Sequence, residues 1–281
     1  MPFSRTLGMA VVITVAACNT MAAPTARSIT GEEKGWAMFE TAAKSKSVPE
    51  REIGIRALGL LPDNARARQL AENALSDPKP EVRVAAATAL GQMRATASIP
   101  KLQKALSDPR LAVVMAAAHS LRDLKDNNSA YSVYYDVLTG KRKSGESMIQ
   151  RQLDTLHNPK EVAKIGFEAG IGYVPFAGIG WDAWRYMHKK NPMPVRAVAA
   201  SFLAHDPDPA TGVALAEAIK DKDWIVRAAA IEAIAERSDP YLKAKVELSF
   251  FDANIHVRFT TAAAVIRLTE LDKSRKAAEQ H

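Results

Sequence analysis

The chain has little of what compact sites are made from. One residue in 281 is cysteine, which rules out an intramolecular disulfide. Aromatic residues make up 6% while alanine is abundant. Small side chains let helices approach closely, so this composition suits helix on helix better than sheet. His-x-x-x-His, Cys-x-x-Cys and Gly-x-Ser-x-Gly are all missing, which removes the usual signatures of metal, redox and acyl-transfer chemistry. The six histidines are scattered, and His205-Asp206 is the one His–acid neighbour pair. No long basic run exists either. Lys141-Arg142-Lys143 and His188-Lys189-Lys190 are the densest clusters, within a net charge of +7 that favours anionic surfaces in general.

What the chain does have is a period. Ser76-Asp77-Pro78 returns as Ser107-Asp108-Pro109, and Val195-Arg196 returns as Val226-Arg227 and Val257-Arg258, at a constant spacing. A fixed spacing of about 31 residues marks a stacked solenoid. Counting from Val82, positions +3, +4, +7 and +8 hold Ala85, Ala86, Ala89 and Leu90, one face of a helix. The same columns hold Ala116, Ala117, Ser120 and Leu121; Val198, Ala199, Phe202 and Leu203; Ala229, Ala230, Ala233 and Ile234; and Thr260, Thr261, Ala264 and Val265. A second helix comes next in each unit, with Leu102 and Leu106, Val133 and Val137, Leu215 and Ile219, and Val246 and Phe250 each four residues apart. Turn residues such as Gly91 and Asp206-Pro207-Asp208-Pro209 are expected between the two helices. The fold class is therefore all-α, an α-solenoid of helical hairpins that bury their apolar sides on one another. Residues 48–75 fit the pattern more loosely. Residues 32–46, with Trp36 and Phe39, read as one more helix, expected to cap the open end of the stack.

The run Asp-x-x-x-x-Val-Arg-x-x-Ala-x-x-Ala-Leu from Asp77 to Leu90 resembles the HEAT repeat, and more narrowly the short HEAT-like repeats of the phycobilisome lyase type. Asp221 with Val226-Arg227 and Asp252 with Val257-Arg258 match it. The resemblance implies a polar ladder of Asp and Arg from successive units, here Asp77, Arg83, Asp108, Arg196, Asp221, Arg227, Asp252 and Arg258. An Asp at a helix start accepts backbone N–H groups, and the Arg fork reaches a neighbouring unit. Val114 stands in the arginine column and Lys190 in the aspartate column, so the ladder should break at both. HEAT-like di-iron hydroxylases carry His-Glu pairs as ligands. This chain has no His-Glu dipeptide, so that activity is not implied.

The first 28 residues read as an address. Arg5 precedes an apolar run from Leu7 to Ala17, too short to span a bilayer comfortably, and small residues come after it. Val15-Ala16-Ala17-Cys18 resembles a bacterial lipobox, which makes Cys18 the candidate lipid-attachment residue and Asn19 consistent with outer-membrane delivery. Ordinary cleavage, for instance after Ala22, is the alternative and would leave a soluble periplasmic or secreted protein. Residues 19–31 read as a tether.

Residues 141–190 break the rhythm with an irregular Gly-rich helical segment that carries Trp181 and Trp184. The boundaries expected are 1–28 for signal and tether, 29–140 and 191–281 for the two repeat blocks, and 141–190 between them. The function expected is a non-catalytic protein-binding scaffold of the bacterial cell envelope, with an envelope protein as partner, membrane contact through Cys18 if it is acylated, and no cofactor or metal. Nucleic acid is not expected of an exported protein. Trp181, Trp184, Lys222 and Trp224 are the candidate interaction residues. An enzyme using Glu168, Asp182, Arg185 and His188 is the alternative, and a membrane- or polyanion-binding protein is a further one.

Overall fold

The computed structural model describes residues 29–139 and 195–280. These form twelve helices and, among the described residues, no strand. The first block holds α1 (Gly31–Ala43), α2 (Val48–Ala57), α3 (Ala65–Ala74), α4 (Pro80–Gln92), α5 (Ile99–Ala105), α6 (Leu111–Asp123) and α7 (Asn127–Thr139). The second holds α8 (Val195–Leu203), α9 (Pro209–Ala218), α10 (Trp224–Arg237), α11 (Lys243–Glu247) and α12 (Ile255–Ala278). The fold is an α-solenoid.

In most units the second helix is no longer than the first. The first helices α2, α4 and α6 lie side by side in one row, as do α8, α10 and α12. Each second helix leans on the first helix of the next unit, as α3 does on α4 and α9 on α10. The inward columns are dry in four units, where Val82, Val113, Val226 and Val257 are buried, with Leu90, Leu121 and Ile234 one column set along. In α8 they are not, since Phe202 is 74% exposed and Ala199 is exposed, and Ala197, Ala200 and Ala204 are the residues that turn inward instead. Burial of this kind stabilises by about 25 cal/mol per Å² of apolar surface. That term is available only once neighbours are stacked.

The starts of the helices are capped locally. Ser47, Asn64, Asp208, Asp223 and Asn254 each accept a backbone N–H of the first turn. Asp63, Arg94 and Lys125 come shortly after the first helices of three successive units, all with positive φ and spaced by the repeat period, and Ser238 does the same after α10. Gly91 is not in a turn, as its place in the sequence suggested. It lies inside α4, where a Cβ would stand 2.6 Å from Ser120 Oγ. Its role is to bring α4 and α6 together, and Ser120 Oγ then donates to Ala87 O at 2.8 Å.

The helix at residues 31–43 also departs from expectation. It does not cap an open end. It packs against α12 from the other block and against α2. The two helices α1 and α12 run antiparallel, since Gly31 faces Val265, Gly35 faces Ala262 and Ile266, and Phe39 meets Phe259. α1 also abuts α11 through Gly31 and Glu247, and α3 on its other side. Against α12 it therefore occupies the place that a second helix takes in the other units. α12 and α1 build one composite hairpin in the middle of the row. The order in space is α8/α9, α10/α11, α12/α1, α2/α3, α4/α5, α6/α7. The physical reason is complementarity: α12 and α1 each carry an apolar face, and the two close on one another through Phe39, Phe259, Gly35 and Ile266.

Candidate interaction surface

The ladder arises from this stacking. Arg83 Nε and Nη2 clamp Asp108 at 2.7 and 2.9 Å, while Nη1 donates to Asp77 O at 2.9 Å. Arg227 does the same to Asp252, at 2.6 and 2.8 Å, with Asp221 O at 2.9 Å. Arg196 is paired with Asp221. The fork is thus shared between the turn of its own unit and the carboxylate of the next. Arg51, which sequence reasoning missed, forms an equal rung with Asp77 at 2.8 and 3.1 Å. Its signal was its place 32 residues before Arg83, hidden by the looser match around it.

The aspartates do not start helices, although the pattern suggested it. Asp77, Asp108, Asp221 and Asp252 accept the N–H two residues on, from Lys79, Arg110, Asp223 and Asn254. Those four residues are the N-caps. The aspartates instead close the preceding turn, which leaves one carboxylate edge for the arginine.

The rungs have an electrostatic signature. Burial alone would raise the pKa of Asp77, but the bond from Arg51 and the Lys79 N–H more than offset it and hold it below the usual carboxylate range. Asp252 is held down in the same way against its burial by Arg227 and the Asn254 N–H. Arg51, Arg83 and Arg227 are thus consumed by the fold, while Arg196, though paired with Asp221, stays largely exposed.

The ladder has two gaps. Val114 stands in the arginine column and is buried with Ala118 and Val133. Arg258, beside the composite hairpin, donates to Asp252 O and Ala253 O at 2.8 and 3.0 Å. The aspartate column of the next unit in space holds Ser45, whose carbonyl receives Arg51 Nη1. Lys190 lies outside the described residues.

At this joint other contacts stand in. Arg267 Nη1 donates to Leu60 O at 3.1 Å, Asn64 Nδ2 to Glu270 Oε1 at 2.6 Å, and Lys273 Nζ to Glu32 Oε2 at 2.6 Å. Phe39 lies against Trp36 and Phe259 with ring centroids 6.2 and 5.7 Å apart. A cleft of about 620 Å³ opens beside it, lined by Trp36, Glu32, Glu40, Arg66, Lys243 and Lys273.

Of the candidate interaction residues, Lys222 is exposed or nearly so and its carbonyl receives Arg227 Nη1. Trp224 is half-buried and stacks on His256 with ring centroids 4.9 Å apart. Trp224 thus packs within the row. Cys18, Trp181, Trp184, Glu168, Asp182, Arg185 and His188 lie outside the described residues. Among the described residues no group of His, Cys, Asp and Glu is placed to hold a metal, and no helix is long and apolar enough to cross a membrane.

Sequence reasoning also missed a groove between α9 and α11. Ala216, Ile219, Leu248 and Phe251 line it with Lys220 and Lys245. Leu248 and Phe251 are 74% and 84% exposed on the turn 248–251, while Ser249 and Phe250 beside them are buried. The signal was present in the Phe250-Phe251 pair. Phe250 fills the inward column, which leaves Phe251 without one.

Residues 36–122 and, overlapping them, residues 67–138 match the family model for HEAT repeats. Residues 36–138 are thus similar to HEAT repeats. No curated protein matches the chain. Among solved structures, human deoxyhypusine hydroxylase in complex with glycerol is similar at 19% identity, over 83% of this chain and 84% of that one, with a TM-score of 0.32. A likeness of that strength carries no argument about function. The repeated hairpins and their shared ladder make the described residues a helical repeat scaffold.

Proposed function

We propose that this protein is a non-catalytic scaffold of the bacterial cell envelope, which offers its row of HEAT hairpins to a protein partner. The observation that carries the reading is the continuous row itself: six hairpins stand side by side, and the strongest charges along them are spent on rungs between units. What remains outward is a long surface of turns and helix backs, suited to an extended partner. The repeats read as the short type found in phycobilisome lyases, on the 31-residue period and the Asp77–Leu90 pattern. The export reading rests on Arg5, the apolar run 7–17 and the lipobox-like residues 15–18. Cys18 as a lipidated N-terminus would hold the scaffold at the outer membrane.

Crosslinking in intact cells, with identification of what is captured, tests the partner. Recovery of one envelope protein with this chain is the expected result. A chain found in the cytosol, or captured with no partner, would refute the proposal. Mass spectrometry of the mature N-terminus tests the anchor. An acylated Cys18 is expected, and a free N-terminus after Ala22 would dismiss it.

A further inference from the structure

We infer that the groove of Leu248 and Phe251 is a membrane-contact patch, which rests on an anionic lipid surface beside the point where residues 1–28 join the solenoid. The first ground is the placement of apolar groups. Leu248 and Phe251 stand three residues apart on one tight turn, both largely in water, while Phe250 between them is 5% exposed. The turn is pinned from inside, so its outward pair is presented rigidly. Nothing in the packing of the row demands an apolar residue at either place.

The second ground is charge. Lys34 Nζ lies 3.8 Å from the centre of the Phe251 ring and 4.6 Å from that of Phe250. Lys220 and Lys245 line the same groove. Of the carboxylates lining it, Asp252 is clamped by Arg227 and Glu217 is paired with Lys220 at 3.1 Å. Lys34, Lys220 and Lys245 thus stand around the apolar pair, with Glu217 bound to Lys220 and Glu247 to Lys243. Apolar side chains ringed by lysine are the pattern of an interfacial site: rings and aliphatic groups enter the acyl boundary while lysines sit at the phosphates.

The third ground is where the chain enters. A Cβ at Gly31 would stand 2.4 Å from Glu247 Oε1, and Glu247 directly precedes Leu248. The Thr30–Glu33 capping box fixes the first turn of α1 at this spot, and Ile29 before it is 76% exposed. Residues 1–28, with their apolar run 7–17, therefore join the body next to the patch and midway along the row. A lipid-held N-terminus would bring these side chains, and not either end of the solenoid, to the surface. The opposite side of the row would then stay free for a partner. The inference rests on the envelope reading for where lipid is met in the cell; whether the patch binds lipid is a separate matter, tested separately.

The test uses the full chain with Cys18→Ser and a single new cysteine, Phe251→Cys or Tyr131→Cys, each carrying an environment-sensitive fluorophore. The vesicles contain phosphatidylethanolamine and phosphatidylglycerol in equal amounts, or phosphatidylcholine alone. With anionic vesicles the label at 251 should move to the blue and be quenched by nitroxide lipids, while the label at 131 should stay in water. Lys220→Glu and Lys245→Glu should each weaken vesicle binding by about fivefold or more, and added salt should do the same. A label at 251 that remains in water on bound protein would overturn the inference. So would binding that ignores both lysines, or a label that becomes dry only when an acidic protein segment is added. Cell fractionation tests the envelope reading on its own, so the two failures can be told apart.

Discussion

The joint between α4 and α6 and the joint between α12 and α2 do the same job by different means. At the first, the chain runs straight from one unit to the next, Gly91 admits Ser120, and Arg83 clamps Asp108. At the second, the two blocks meet through α12 and α1. No carboxylate rung crosses from Arg258; α1 fills the second-helix place with Phe39 and Glu32, and Arg267 and Asn64 tie α12 directly to Leu60 and the start of α3. The lesson is that a repeat array can pass through a break in the covalent chain. Stacking needs surfaces, not sequence order.

The largest effect should come from breaking the composite hairpin. Phe39 is 2% exposed, so Phe39→Ala should cost about 3–5 kcal/mol. Leu90→Ala, at the continuous joint, should cost a similar amount. Only the first should split urea unfolding into two transitions, because the blocks would lose their common hairpin. A single transition for both variants would erase the difference between the joints.

The ladder gives the next contrast. Arg83→Met strands the Asp108 carboxylate, of which 10% is exposed, and should cost about 3 kcal/mol. Arg258→Met removes only bonds to backbone carbonyls and should cost about 1 kcal/mol. Equal losses in chemical unfolding would mean that the carboxylate rung adds nothing.

Two further joints, α2–α4 and α10–α12, should respond to acid. Asp77 and Asp252 have folded pKa values below their unfolded ones. Their contribution is present above the unfolded carboxylate range and is lost as pH falls through the folded values. Acid should therefore loosen the α2–α4 and α10–α12 joints, whose rungs end on Asp77 and Asp252. Glu232 on α10 goes the other way: burial, with Glu236 adding to it, pushes it up to about 8. Its contribution is greatest below its unfolded pKa and declines as pH rises to about 8. Glu232→Gln should flatten the decline in thermal stability between the ordinary glutamate range and about pH 8. If the wild-type decline over that range persists in the variant, Glu232 is not its source.

The smallest effect should be a gain. Arg94 lies just beyond α4 with φ 57, a conformation that costs a side-chain-bearing residue about 1 kcal/mol. Arg94→Gly should recover up to about that amount, as measured by thermal unfolding.

The hairpins and most of the rungs were legible in the sequence because both arise from local periodicity. Val82, Ala85, Ala89 and Leu90 had to share a helix face, and Asp77 had to lie shortly before Arg83. The composite hairpin was not legible, because a period relates only units that are consecutive in the chain. Gly35, Phe39 and Ala42 mark α1 as buried along one face, more than a cap requires, and α12 carries a buried face through Phe259, Ala262 and Ile266 that α1 covers. Each was half of a unit, and only their meeting in space made them one. Phe251 and Lys34 were illegible for the same reason, being more than 200 residues apart in sequence and 3.8 Å apart in the fold.

Coupling of carboxylates to amines by a zero-length carbodiimide, on the unaltered full chain, tests the composite hairpin most directly. Glu32 and Lys273 are joined by an ion pair of 2.6 Å across 241 residues of sequence. Peptides containing Glu32 should be recovered covalently bound to peptides containing Lys273, from monomeric protein, and Phe39→Ala should reduce their yield. Recovery of that pair only from dimers, or not at all while the Lys101–Glu72 pair within the first block is captured, would contradict the account.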